Sequence, residues 1–384
     1  MSSTQARPSS RGLVRDAQRV VVKIGSSSLT GADGRLDVVA LRALVDVLAA
    51  RRAEGKHVVL VTSGAIAAGL APLGLGSRPK DLATAQATAS VGQGLLVARY
   101  TEAFAGHGVR VGQVLLTAED TVRRGHYRNA QRSLERLLDL GVVPIVNEND
   151  AVATDEIRFG DNDRLAALVS HLVHADAMVL LTDVDGLYDG PPSRPGSVRI
   201  REVHGPADIE GIEVTAPGSS VGTGGMVTKL ESVSIATASG VPVVLTLASN
   251  VAGALAGDEV GTFFGITGKS SSRRRLWLQY AAKARGRLVL DEGAVRAVLG
   301  GTASLLPAGI TQVQGTFESD DPVELVDPGG RVVAHGLVSY DSTEIPELLG
   351  RSTGELREVL GEGYDRAVVH RDDLVLVRRS RRPA

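Results

Sequence analysis

Apolar runs of strand length alternate with helix-spaced segments through the first two thirds of the chain. Six runs rich in β-branched residues begin at Arg19, His57, Val109, Gly141, Asp176 and Val241. Between the first two runs, four apolar residues recur at helical spacing: Leu41, Leu44, Val45 and Leu48. Gly55 marks the end of that helix. This alternation predicts βα units, and therefore a mostly parallel sheet covered on both faces.

The alternation ends near residue 265, where a stretch rich in serine and arginine begins. Beyond it, short strand-like runs with one or two helices predict a small β-rich module. A chain of 384 residues exceeds what one hydrophobic core usually serves, so two domains are expected. The predicted segments are a flexible tail at 1–17, an α/β domain at 18–269, a linker at 270–283, the β-rich module at 284–374 and a tail at 375–384.

Composition narrows the class of protein. Hydrophobic residues make up 43% of the chain and its formal net charge is −2, as in an ordinary soluble globular protein. The absence of cysteine excludes disulfides, thiolate zinc sites and cysteine nucleophiles, and it fits a reducing compartment such as the cytoplasm. No uninterrupted apolar run reaches about 18 residues, so no membrane span is expected.

Polar residues follow four of the predicted strands, where open α/β sheets bind their ligands. The first strand carries Lys23 inside an apolar run and leads into the glycine-serine turn 25–28. Taken alone, Lys23 is either an edge-strand lysine that snorkels to solvent or an ammonium aimed at phosphate. The second strand ends at Ser63 and Gly64. Ser63 is either a plain helix N-cap or part of a carboxylate site.

The next informative strand end is the richest in polar groups. Its residues are Asn147, Glu148, Asn149, Asp150, Asp155, Glu156, Asp161, Asn162 and Asp163. The spacing of an EF-hand is absent, which disfavours a calcium loop. Carboxylates and amides suit an ammonium group, so a small ligand with a positive amine is expected here. At the fourth strand end, Thr182 and Asp183 either cap a helix or face a nucleotide.

A glycine-rich stretch, VGTGGMVTK, spans residues 221–229. It matches neither the P-loop, which needs lysine directly after its last glycine, nor the G-x-G-x-x-G fingerprint. Glycines allow close backbone approach, the helix that follows presents a positive N-terminus, and Lys229 adds a full charge. The stretch is therefore interpreted as a nucleotide-binding loop, with a flexible loop before a helix as the alternative.

Taken together, VVKIGSSS, VTSGAIAAG, VNENDAVAT, GDND, LLTDVDGLY and GTGGMVTKL resemble the signature segments of the amino acid kinase family. The resemblance is most specific to its glutamate 5-kinase branch, through NENDAVAT and GTGGMVTK. The carboxyl-terminal segment resembles the PUA module found in many members. The resemblance covers the chain from about residue 18. It implies a three-layer αβα sandwich with a mostly parallel open sheet, plus a small β-rich PUA domain.

The resemblance also implies the chemistry: transfer of the γ-phosphoryl group of ATP to the γ-carboxylate of L-glutamate, the first step of proline biosynthesis. The residues it implies for catalysis are Lys23, Lys229 and Asp163. Those implied for glutamate binding are Ser63, Asn147, Asp150 and Asn162. Those implied for ATP binding are Lys23, Thr182, Asp183, Thr223, Gly224, Gly225, Met226, Val227, Thr228 and Lys229. Mg²⁺ is expected to be held mainly by the nucleotide, with no metal site in the protein, and inhibition by proline and assembly into a dimer or tetramer are implied.

Two alternatives stay open at the level of sequence. Another amino acid kinase, acting on a different carboxylate or carbamate, would share most of these segments. An RNA-binding accessory protein is the second alternative, because PUA modules elsewhere bind RNA. From Arg273 to the end the chain has 16 Lys plus Arg and 16 Asp plus Glu, and aromatic residues make up 3% of the whole chain. This balanced charge and scarcity of aromatics disfavour RNA binding.

Overall fold

Apolar side chains gather in two separate cores, one in each of the two units into which the chain divides, Met1–Ser270 and Ser271–Ala384. The structure is a computed structural model. It describes residues 10–31, 34–117, 120, 124–152, 162–210, 212, 225–267, 284–301, 303–319, 321–351 and 367–377. The predicted linker, 270–283, lies outside the described residues.

The described residues of the first unit form one eight-stranded sheet. Its strands are β1 (Arg19–Ile24), β2 (His57–Thr62), β3 (Val111–Leu116), β4 (Val143–Glu148), β5 (Ala177–Thr182), β6 (Glu202–Val203), β7 (Val243–Leu247) and β8 (Thr262–Phe264). Their spatial order is β3-β4-β2-β1-β5-β7-β8-β6, and every pair is parallel except β7 with β8. The six predicted strands are confirmed. β6 and β8 were not predicted, because runs of two and three residues are too short to show a periodicity.

Helices cover both faces of this sheet. The described ones are α1 (Gly12–Asp16), α2 (Val38–Ala53), α3 (Ala65–Leu70), α4 (Leu82–Ala105), α5 (Arg124–Asp139), α6 (Asn162–Leu172), α7 (Met226–Ala238) and α8 (Val251–Ala256). Strands β4 and β5 are buried at every position, so neither face reaches water. The predicted α/β architecture with a mostly parallel sheet is confirmed. No helix in the described part of the chain is both long enough and apolar enough to span a membrane.

The predicted helix between the first two strands is α2, and its ends follow from local chemistry. Asp37 caps the helix by accepting hydrogen bonds from the backbone N–H groups of Val39 and Ala40. Gly55 follows the helix with φ of 80°, a left-handed conformation that favours glycine. The stop predicted at Gly55 is confirmed.

Two glycines bring α3 and α4 into backbone contact. A Cβ atom on Gly92 would lie 1.8 Å from the carbonyl oxygen of Ala65, and one on Gly69 would lie 2.1 Å from the carbonyl oxygen of Thr88. No side chain fits at either position. The close crossing fixes α4 against the start of α3, the helix that follows the carboxyl end of β2.

The sequence predicted a flexible tail at residues 1–17, but helix α1 lies within this segment. Helix α1 buries Val14 completely, and the guanidinium of Arg51 donates to the carbonyl oxygens of Val14, Arg15 and Ala17. Arg11 is also buried, with its guanidinium donating to carbonyls that include those of Asp258 and Val260. The prediction missed these contacts because the segment is too polar and too short to show an apolar pattern.

The second unit contains a five-stranded sheet with its own core. Its strands are β9 (Gly286–Leu290), β10 (Ile310–Gly315), β11 (Pro322–Val326), β12 (Val332–Val338) and β13 (Val369–Leu376), in the order β10-β9-β11-β12-β13. The described helices are α9 (Glu292–Leu299) and α10 (Ile345–Leu348). The predicted β-rich module is confirmed. The boundary predicted for the carboxyl-terminal tail, residue 375, is too early, because β13 pairs with β12 as far as Leu376.

Gly92→Ala is expected to lower the free energy of unfolding by about 1–3 kcal/mol, because the new methyl group forces α3 and α4 apart. Gly94→Ala is the matched control on the same helix, since a Cβ there meets nothing within 4 Å. It should stabilise the protein by about 0.5–1 kcal/mol through helix propensity. Chemical unfolding of both variants measures the difference, and equal stabilities would contradict the close-contact interpretation.

Candidate active site

Four neighbouring strands deliver the predicted site residues to one edge of the sheet. Strands β4, β2, β1 and β5 are adjacent and parallel, so their carboxyl ends lie side by side. Lys23 is opposite Val61 of β2 and Leu180 of β5, and Val61 is opposite Val146 of β4. The polar residues that end these strands, Ser63, Asn147 and Thr182 among them, therefore occupy one common edge.

A buried carboxylate lies between two lysines at this edge. Asp163, in the first turn of α6, is fully buried and forms an ion pair with Lys23 of β1. Its second oxygen, Oδ2, accepts a hydrogen bond of 3.1 Å from Nζ of Lys229, in the first turn of α7. Lys23 itself is only 3% exposed, and β1 is a central strand. The snorkelling interpretation of Lys23 is therefore wrong.

The electrostatics of this cluster favour an anionic ligand. Burying charged groups is costly unless they are paired, and Asp163 pairs with both ammonium groups. The positive end of the α6 dipole further stabilises the carboxylate. Two cations and one anion leave a net charge of +1. Gly25 directly adjoins this cluster, since a Cβ there would stand 3.5 Å from Nζ of Lys23.

Three predicted residues form a connected set of amide and hydroxyl groups beside the lysines. Nδ2 of Asn162 donates to Oγ of Ser63 and to Oδ1 of Asn147, both at 2.9 Å. Ser63 is not the N-cap of α3. That position belongs to Gly64, with φ of 107° and no side-chain capping bond. Asp150 follows β4 in a turn and is half-buried.

Gln93 is a member of this set that the sequence analysis missed. Located on α4, it accepts a hydrogen bond of 2.7 Å from Nδ2 of Asn147. It lies between Gly92 and Gly94, and a glutamine flanked by glycines within a helix carries no pattern that marks a site. Its position depends on the α3–α4 crossing, which the sequence does not reveal.

Burial fixes the protonation state of one group behind the site. Tyr100 is fully buried, and its hydroxyl group is 2.9 Å from Oγ1 of Thr62, the last residue of β2. Burial raises the pKa of the Tyr100 phenol, so this group stays neutral at physiological pH. The contact supports the end of β2 without adding charge near Ser63.

On the other side of the lysines lie the residues predicted to bind nucleotide. Thr182 donates from Oγ1 to Asp183 at 2.9 Å, and the chain continues through bends, so neither residue caps a helix there. Helix α7 begins at Met226 after Gly225, which makes no side-chain capping bond. Thr228 donates to the carbonyl oxygen of Gly225 at 2.9 Å, and Val227 is exposed. Thr223 and Gly224 lie outside the described residues, as do Asp155, Glu156 and Asp161.

An ion pair between Arg164 and Glu231 joins α6 to α7. Arg164 directly follows Asp163, and Glu231 is two residues beyond Lys229. The pair therefore helps to hold the two helix starts that carry the buried carboxylate and the second lysine. The sequence analysis did not identify it, because nothing local indicates that these two helices are neighbours.

The carboxylate of the lysine cluster is already paired with cations. Asp163 is engaged by two ammonium groups. Among the described residues, no group of three or more His, Asp or Glu side chains is placed to hold an ion.

Comparisons with known proteins agree with the geometry. The amino acid kinase family profile matches residues 18–246, and the PUA domain profile matches residues 286–360. The chain is 64% identical to the glutamate 5-kinase of Streptomyces avermitilis, over 95% of this chain and 98% of the relative. It is 63% identical to that of Streptomyces coelicolor, over 96% and 98%. Against that of Thermobifida fusca it is 60% identical, over 96% and 95%. The chain therefore belongs to the amino acid kinase family and carries a PUA domain.

Proposed function

We propose that this protein transfers the γ-phosphoryl group of ATP to the γ-carboxylate of L-glutamate, forming L-glutamyl 5-phosphate for proline biosynthesis. The observation that carries the proposal is the Lys23–Asp163–Lys229 cluster. Lys23 is on β1, which lies between β2 and β4 with their amide and acidic groups on one side and β5 on the other. Relatives named glutamate 5-kinase, 60–64% identical over nearly the whole chain, support the choice of substrate.

The reaction needs positive charge more than it needs a base. A γ-carboxylate has a pKa near 4.3, so it is already ionised at neutral pH and attacks without losing a proton. The obstacle is the approach of two anions, which calls for cations and accurate positioning. Lys23 from the sheet and Lys229 from α7 neutralise the transferring phosphoryl group. Asp163, which contacts both ammonium groups, orients them.

Glutamate binds on the side of β2 and β4. Ser63 and Asn162 provide neutral polar groups for a carboxylate, together with Asn147 behind them. Asp150 provides the negative charge that a free amine requires. Separate places for glutamate binding and phosphoryl transfer explain why the glutamate side of the site is rich in amides and acids, whereas the lysine cluster is cationic.

ATP binds on the side of β5 and α7. Thr182, Asp183 and the loop from Thr223 to Lys229 hold the nucleotide. Gly225, the N-cap of α7, has no side chain to cap the first N–H groups of the helix, which provide donors for phosphate oxygens. Mg²⁺, bound through the nucleotide, supplies further neutralisation of the phosphate charge. Inhibition by proline at or near the glutamate site, assembly into a dimer or tetramer, and a cytoplasmic location complete the proposal.

ATP turnover with different acceptors tests the activity directly. Purified protein is expected to consume ATP with L-glutamate and much less with N-acetylglutamate or aspartate, because the acidic side of the site favours a free amine at the right distance. Added proline should raise the apparent KM for glutamate. Turnover with N-acetylglutamate in preference to glutamate would instead favour another amino acid kinase activity.

Lys229→Ala and Lys23→Ala are each expected to lower kcat by about 10²–10³-fold, since each removes a cation from the transferring phosphoryl group. Lys80→Ala, at an exposed position in the loop before α4, is the matched control and should keep wild-type kcat. Thermal unfolding establishes that each variant is folded. Near-normal turnover by a folded Lys229→Ala protein would refute the role of the two cations.

Asp150→Ala should raise the KM for glutamate about 10- to 100-fold, the range expected for loss of a charge-assisted hydrogen bond to the amine. The KM for ATP should stay unchanged, because nucleotide binds on the other side of Lys23. Asp139→Ala, at the exposed end of α5, serves as the control. An unchanged glutamate KM in Asp150→Ala would remove this residue from the substrate site.

A further inference from the structure

Gln93 occupies an unusual position for a polar side chain. It is 8% exposed, and its Oε1 atom accepts the hydrogen bond from Asn147. Its Nε2 atom is buried and has no hydrogen-bond partner among the described residues. Leaving a buried donor unpaired is costly, and an apolar side chain would avoid that cost. The hydrogen bond that this side chain makes in the structure is the one through its oxygen.

A backbone group fixes the direction of the neighbouring amides. The N–H group of Glu148 donates to Oδ1 of Asn147 at 2.9 Å and to Oδ1 of Asn162 at 3.3 Å. A backbone N–H can only donate, so both side chains must present their oxygens to it. Their NH₂ groups consequently point away from Glu148, and the one on Asn147 requires an acceptor. Gln93 supplies that acceptor.

The donor and acceptor roles of these amides also determine the hydrogen bonding of Ser63, at the edge of the site. The NH₂ group of Asn162 uses its two hydrogens on Oδ1 of Asn147 and on Oγ of Ser63. Because Oγ of Ser63 accepts from Asn162, the hydroxyl proton of Ser63 is directed elsewhere. A series of hydrogen bonds that begins at Gln93 thus leaves Ser63 as a donor, which is what an anionic carboxylate requires.

We propose that Gln93 is a positioning residue of the glutamate site, whose oxygen holds Asn147 and, through Asn162, orients the Ser63 hydroxyl towards a substrate carboxylate. The inference rests on the proposed function. Gly92, the residue before Gln93, holds α4 in backbone contact with α3 and so restricts where Gln93 can lie. Without the acceptor, Asn147 would carry an unpaired buried NH₂ group, and only the N–H group of Glu148 would still hold the oxygen that Asn162 uses.

Steady-state kinetics of a near-isosteric variant test this role. Gln93→Met removes the acceptor and is expected to raise the KM for glutamate about tenfold, equivalent to about 1.4 kcal/mol. The KM for ATP of this variant should remain within about twofold of wild type. Gln86→Met, two turns earlier on α4, is the control for placing methionine in this helix and should leave both KM values unchanged.

A double-mutant cycle separates positioning from general destabilisation. If Gln93 acts through Asn147, adding Gln93→Met to Asn147→Ala should raise the KM for glutamate no further. The inference is overturned if folded Gln93→Met has a normal glutamate KM, or if its KM for ATP rises equally. Should Gln93→Met fail to fold, Gln93→Asn, which withdraws the oxygen by one methylene, gives the same readout.

The two proposals fail in different ways. Lack of glutamate-dependent ATP turnover by the wild-type protein would refute the proposed function. Normal wild-type turnover combined with an unaffected glutamate KM in the folded Gln93 variants would refute the role of Gln93 alone.

Discussion

The carboxylate of Asp163 makes the rest of the site possible. Two ammonium groups repel each other, and they can be held close together in a buried site because an anion lies between them. The fold brings the three groups from separate elements: Lys23 from a central strand, Asp163 from the start of α6 and Lys229 from the start of α7. The ion pair between Arg164, the next residue on α6, and Glu231, two residues beyond Lys229 on α7, supports this geometry.

The start of α6 also links the two halves of the site. Asn162 and Asp163 are adjacent in sequence, yet they serve different neighbours: Asn162 contacts Ser63 and Asn147, whereas Asp163 contacts the lysines. A small displacement of this one turn would therefore disturb the amide set and the cationic cluster together. Such coupling suits phosphoryl transfer, in which acceptor and donor must be aligned at the same moment.

Packing between α3 and α4 reaches the site through α4. The backbone contact at Gly92 fixes this helix against α3, and the next residue, Gln93, contacts Asn147. A steric requirement for glycine at one position thus determines where a hydrogen-bond acceptor lies at the next. The buried, neutral Tyr100 on the same helix contacts Thr62 at the end of β2, so α4 supports two of the four strand ends.

The sequence by itself determined the six longer strands of the first unit, the parallel sheet and the β-rich module, because long β-branched runs can be buried in few ways. It also located most residues of the candidate site, since ligands of such sheets bind at strand ends. Tertiary structure alone decided what each of these residues contacts. The sequence left Lys23 as either a surface lysine or a site lysine, and the central position of β1 in the sheet excludes the first. It left Ser63 as either a helix cap or a site residue, and the hydrogen bond from Asn162 places it in the amide set. Gln93 and the Arg164–Glu231 pair left no local pattern, because their partners are distant in sequence and meet only through helix packing.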